Sequence, residues 1–162
     1  GRQHFFATGR RNLVIFGDSS SPFCEITRSE KTIPALDPKQ FKITARNLVV
    51  SNLEEMSKTC LSYYLKHRGK FDAALFQDSG VAAGFINLAF EAGIPIPDEI
   101  AVVGYDCYPQ AHLLKVSLST IEQPLDELSQ RAIELILKRV HRPDAPLTHE
   151  VLPHRLFRRG SS

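Results

Sequence analysis

Short apolar runs that alternate with helical-period segments constrain this chain more than any other feature. NLVIFG at residues 12–17, RNLVV at 46–50, FDAALF at 71–76 and IAVV at 100–103 have the length and composition of strands. Residues 53–67 and 78–92 lie between the later runs, carry apolar residues at helical spacing, and run out at Gly69 and Gly93. Strand-length runs with little polar alternation suit strands buried on both faces. Their alternation with helices predicts an α/β fold, a parallel sheet with helices on both faces.

Local signals place the elements. Phe5 and Phe6 ahead of Gly9 look like the last turns of a helix, so the chain is expected to be cut from something longer. Pro34 and Pro38 break any long helix in the hard-to-read stretch 23–42. Asp78 is placed to cap a helix whose apolar face is Val81, Phe85, Leu88, Ala89 and Ala92. Residues 110–114 read as one helical turn and 118–122 as extended chain. Pro124 suits a first helical position, and the helix after it carries Leu125, Leu128, Ala132, Leu135, Ile136 and Val140 as one stripe. Asp126 and Glu127 at its start and Lys138 and Arg139 at its end match the helix dipole. Residues 150–152 and 155–157 read as two short strands around Pro153.

Composition excludes several function classes. The 162 residues, 43% hydrophobic and 23% charged, fit one globular domain with room for two lobes. A net charge of +2 gives no electrostatic basis for bulk nucleic-acid or membrane binding. Cys24, Cys60 and Cys107 are widely spaced and form no CxxC pair, so neither a disulfide framework nor a zinc cluster is expected. A reducing cytoplasm is the simpler compartment. No apolar run approaches the roughly 20 residues that span a bilayer. There is no GxSxG, HExxH or P-loop, and the six histidines lack metal-ligand spacing. No enzyme activity, metal or cofactor is expected.

In an open α/β sheet, ligands bind beyond the carboxyl ends of the strands. The stretch IPIPDEIAVVGYD at 94–106 runs from a turn through a buried strand to Asp106. A carboxylate there accepts hydrogen bonds from adjacent hydroxyls. Its competing role is to cap the following turn through its own backbone.

Four segments resemble the effector-binding half of the lac repressor/gal repressor family of bacterial transcription regulators. They are FFATGRRNLVIFG, FQDSGVAAGFINLAFEAGIPIPDEIAVVGYD, LSTIEQPLDELSQRAIELILKRV and EVLPHRLFRRGSS. The resemblance implies a periplasmic-binding-protein-like fold of two lobes joined by three crossovers, with a sugar-like or nucleoside-like effector in the cleft. It implies that residues 1–117 and 146–162 form the second lobe and that 118–145 cross to the first. No match to the family's DNA-reading helix-turn-helix is found here, so DNA contact is expected only through such a domain. It further implies effector contacts from Asp106, Gln77, Arg28, Ser20 and Ser21, with Asp78 as a helix cap. Dimerisation is implied around Ala82, Phe85, Ile86, His112 and Leu114. The stripe from Leu125 to Val140 would then lack its partner lobe, and is expected to be hidden by dimerising, swapping or folding back. A periplasmic sugar-binding protein and a flavodoxin-like enzyme are the competing readings.

Overall fold

The computed structural model describes residues 2–17, 42–47, 52–106 and 108–162. Helix α1 (Arg2–Ala7) leads through Gly9, whose φ is +88°, into β1 (Asn12–Gly17). Strand β2 (Lys42–Asn47) precedes α2 (Leu53–Lys66), β3 (Ala73–Phe76), α3 (Ser79–Glu91) and β4 (Ala101–Tyr105). A 3-10 turn at Ala111–Leu113 leads to β5 (Ser119–Glu122), α4 (Leu125–His141) and β6 (Arg155–Phe157).

The six strands form one sheet in the order β2-β1-β3-β4-β5-β6. The first five are parallel and β6 runs antiparallel to β5, so the sheet is mixed at one edge rather than wholly parallel. The chain winds outward from β1 in both directions, which makes the β1/β3 boundary a topological switch point.

Alternation along each strand separates two cores. Val14, Phe16, Ala74, Phe76 and Val102 face α2 and α3, packing on Tyr64, Val81, Phe85 and Ile86. Leu13, Ile15, Ala73, Leu75, Ala101 and Val103 face the other way, toward Phe5 and Phe6 of α1. Asp78 caps α3 as its sequence position predicts, accepting from the Gly80 and Val81 amides at 2.7 and 3.0 Å. Ser57 sits so close to Gly84 that a Cβ there would lie 2.3 Å from its hydroxyl, which lets α2 approach α3 tightly.

Three expectations shift. The second strand is Lys42–Asn47, not 46–50. It pairs with β1 from Asn12–Lys42 to Gly17–Asn47 and lies at the sheet edge, where polar residues such as Lys42 belong. Residues 150–152 are not a strand; only Arg155–Phe157 pairs with β5. Helix α4 does not fold back on the sheet: none of its residues is buried, and Ile136 and Val140 are 61% and 69% exposed. The returning chain runs beside α4 instead, held by Arg131 on Glu150 at 2.6 Å. Among the described residues, no helix is long and apolar enough to cross a membrane.

Candidate functional site

The parallel register brings polar residues from four strands to one edge of the sheet. Phe76 pairs with Gly104, Gly104 with Thr120, and Ile121 with Leu156. Just past these pairs, at the carboxyl ends of β3, β4 and β5, stand Gln77, Asp106 and Gln123. The antiparallel β6 brings His154 to the same edge with its amino end.

Asp106 is held in an unusual backbone conformation. Its φ of +76° is the left-handed region, which non-glycine residues seldom occupy. Three contacts hold it there. Its amide donates to the Ile121 carbonyl at 2.9 Å. The Ser79 hydroxyl donates to the Asp106 and Tyr105 carbonyls at 2.8 and 2.7 Å. The third contact fixes the side chain: Gln123 Nε2 donates to Asp106 Oδ1 at 2.6 Å. Ser79 reaches this place because residue 104 is glycine; a Cβ there would lie 2.6 Å from the Ser79 hydroxyl and 3.1 Å from its Cα. Residues in strained backbone regions concentrate at ligand sites.

Gln77 lies at the switch point. A Cβ on Gly17 would fall 1.9 Å from its Oε1, so the Gln77 side chain lies across the end of β1. Tyr105 extends the edge toward β6, with its hydroxyl 2.6 Å from His154 Nε2. Burial first, and then the nearby Asp106 charge, raise the Tyr105 hydroxyl above the usual tyrosine range. The side chains here can accept from and donate to a ligand rich in hydroxyls.

The expected site residues divide. Asp106 and Gln77 share one edge of the sheet. Arg28, Ser20 and Ser21 lie outside the described residues. Gln123 and His154 were not anticipated. The signal for Gln123 was its place as the last polar residue between an extended run and Pro124. His154 had no signal until the antiparallel pairing of β6 was known.

The expected dimer face needs correction. Ala82, Phe85 and Ile86 are each 0% exposed, because α3 is sandwiched between the sheet and α2. They are part of the core in this chain. His112 is exposed and Leu114 is half-buried against the core. Phe90 and Leu113 are exposed apolar residues, at 55% and 71%.

A hollow of about 790 Å³ lies elsewhere, between α4 and residues 145–148. Leu135, Ile136 and Leu147 line it. It is the open trough beside an unpartnered helix and holds none of the carboxyl-edge groups. A smaller hollow of about 420 Å³ adjoins the edge and is lined by Glu122, Gln123, Leu125, Arg155 and Phe157.

Known proteins resemble this chain in sequence and in fold. Residues 3–162 match the family described as periplasmic binding protein-like domain. The ribose operon repressor of Escherichia coli (strain K12) is 32% identical over 98 residues, which is 60% of this chain and 30% of that protein. The HTH-type transcriptional repressor PurR of Yersinia enterocolitica is 38% identical over 81 residues, 49% of this chain and 24% of that protein. The chain spans less than half the length of these curated relatives. In three dimensions it resembles a LacI family transcriptional regulator from Enterococcus faecium solved with bound ribose, with a TM-score of 0.80 and 24% identity. That match covers 98% of this chain and 59% of the other. The lac repressor bound to ONPG also gives a TM-score of 0.80, at 21% identity, over 100% of this chain and 49% of that one. At these identities the structural matches speak to the fold. The family match over nearly the whole length, together with the switch-point topology, means that the chain belongs to the periplasmic binding protein-like domain family.

Proposed function

We propose that this chain is the effector-binding part of a bacterial transcription regulator, and that the carboxyl edge at Gln77, Asp106 and Gln123 holds a sugar-like or nucleoside-like ligand. The observation that carries the reading is Asp106: a carboxylate at a strand end, on a strained and buttressed backbone, in a chain whose relatives are named ribose operon repressor and HTH-type transcriptional repressor PurR. A carboxylate accepts hydrogen bonds from two adjacent hydroxyls, which suits a sugar or a ribose moiety. Regulation is the reading that the names of the relatives, both transcriptional repressors, support.

In this reading residues 1–117 and 146–162 form one lobe together with β5, which pairs with both β4 and β6, and the chain from α4 to residue 145 crosses to a companion lobe of the kind that the extra length of the relatives supplies. The stripe of α4, none of whose residues is buried, supports that division. DNA would be bound through a separate domain, in the cytoplasm. A homodimer would form along the flank of Phe90, His112 and Leu113. Ligand would alter DNA affinity only by its differential affinity for one arrangement of the lobes.

The test is a panel of D-ribose, lactose, sucrose and purine nucleosides, followed by melting temperature with the wild-type chain and with Asp106→Ala. A stabilising ligand whose effect disappears in Asp106→Ala supports the reading. A ligand that stabilises both chains equally sinks it.

A further inference from the structure

We propose that Gln123 is a positioning residue: its carboxamide orients the Asp106 carboxylate for hydroxyl recognition and ties that carboxylate to the base of α4. The inference rests on the effector-site reading of Asp106. The Nε2–Oδ1 distance of 2.6 Å is short even for a bond to a charged acceptor. A neutral amide donor leaves the charge on the carboxylate and occupies one lone pair of Oδ1. The second lone pair of Oδ1 and both of Oδ2 stay available, enough for two neighbouring hydroxyls.

The backbone of Asp106 is already fixed by Ile121 and Ser79. Rotation of the side chain is the freedom that remains, and the bond from Gln123 removes it. Gln123 has a second attachment. Its carbonyl accepts from the Leu125 amide at 2.9 Å, and the Leu128 amide donates to the Pro124 carbonyl at 2.8 Å in the opening turn of α4. One residue therefore holds the carboxylate by its side chain and the start of α4 by its backbone. A ligand that displaces Asp106 displaces the root of the segment that leaves this lobe.

Two measurements test this. Gln123→Glu keeps the shape but sets two carboxylates against each other, and they resist joint ionisation at this distance. The melting temperature of Gln123→Glu is expected to fall below wild type by about 2 °C or more at pH 7.5, with the gap closing toward pH 4.5. Adding Asp106→Asn exchanges donor and acceptor and is expected to abolish the pH-dependent gap. A Gln123→Glu profile that parallels wild type, or one that Asp106→Asn leaves unchanged, overturns the contact.

The second measurement is D-ribose titration with amide exchange. Gln123→Ala is expected to weaken binding about tenfold and to silence the response of the first α4 turn to D-ribose. Wild-type affinity with an intact α4 response overturns the positioning role. If wild type and Asp106→Ala bind D-ribose alike, the effector-site reading fails, and the pH measurement still decides the role of Gln123.

Discussion

Ser161 and Val102 bind each other twice. The Ser161 hydroxyl donates to the Val102 carbonyl at 2.6 Å, and the Val102 amide donates to the Ser161 carbonyl at 2.6 Å. The same hydroxyl oxygen accepts from the Ser119 amide at 2.9 Å, and Ser161 is 0% exposed. The segment 159–161 thus stitches the starts of β4 and β5 together, at the opposite end of the strands from Asp106. Ser161→Ala strands a buried donor and a buried acceptor. A loss of about 1–3 kcal/mol is expected in urea unfolding. An unchanged midpoint would show that the stitch is dispensable.

Gly104→Ala tests the packing beneath the site. The new methyl would meet the backbone of Ser79 at 3.1 Å, and α3 must move to admit it. A destabilisation of about 1–3 kcal/mol is expected. Gly17→Ala should be milder, because its methyl meets the end of the flexible Gln77 side chain. Chemical denaturation of the two variants side by side measures the contrast.

Glu99 gives the chain an acid-sensitive contact at the other end of the sheet. It accepts from Arg68 Nε and Nη2 at 2.7 Å each and from the Tyr64 hydroxyl at 2.7 Å. Hydrogen bonding from Arg68 first, and then from Tyr64, holds its carboxyl below the usual glutamate range. A group whose pKa is depressed by folding stabilises the fold above its unfolded value, about 4.3. That contribution is lost as pH falls through the lower folded value. Melting temperature against pH should therefore fall less steeply below pH 4.3 in Glu99→Gln than in wild type.

Cys60 is fully buried in the core beside Tyr64, and burial pushes its thiol up to about 12. Thiolates are the reactive form. Maleimide is expected to leave Cys60 unmodified in the native chain and to label it in denaturant, as peptide mass spectrometry would show. Native labelling of Cys60 would mean that α2 opens readily.

Helix α4 should contribute little to the stability of the fold. Ile136→Ala and Leu137→Ala remove side chains that are 61% and 54% exposed. Each is expected to shift unfolding by no more than about 0.5 kcal/mol. Losses of several kcal/mol would mean that the stripe is covered in solution.

Much of the architecture was legible because its signals are local. NLVIFG is buried all along its apolar part, Asp78 caps α3, and Gly9 and Gly93 take positive φ at helix ends. Strand β2 is hard to read from sequence because KITARN carries the polar residues of an edge position, whereas the neighbouring 48–50 are apolar. At the site, Asp106 and Gln77 could be read from strand ends. The contact between Asp106 and Gln123 could not, because it spans neighbouring strands and depends on register. The dimer residues Ala82, Phe85 and Ile86 were misjudged because α3 is apolar almost all round, and sequence alone does not reveal that α2 covers its second face.

The most direct test of the carboxyl edge as an effector site is a calorimetric titration of D-ribose into the wild-type chain and Asp106→Ala. Saturable binding by wild type, weakened at least about tenfold in Asp106→Ala, is the expected result, with the unliganded variant melting somewhat lower because alanine tolerates the positive φ less well and loses the bond from Gln123. Equal affinities for the two chains would contradict the assignment of Asp106 to the ligand.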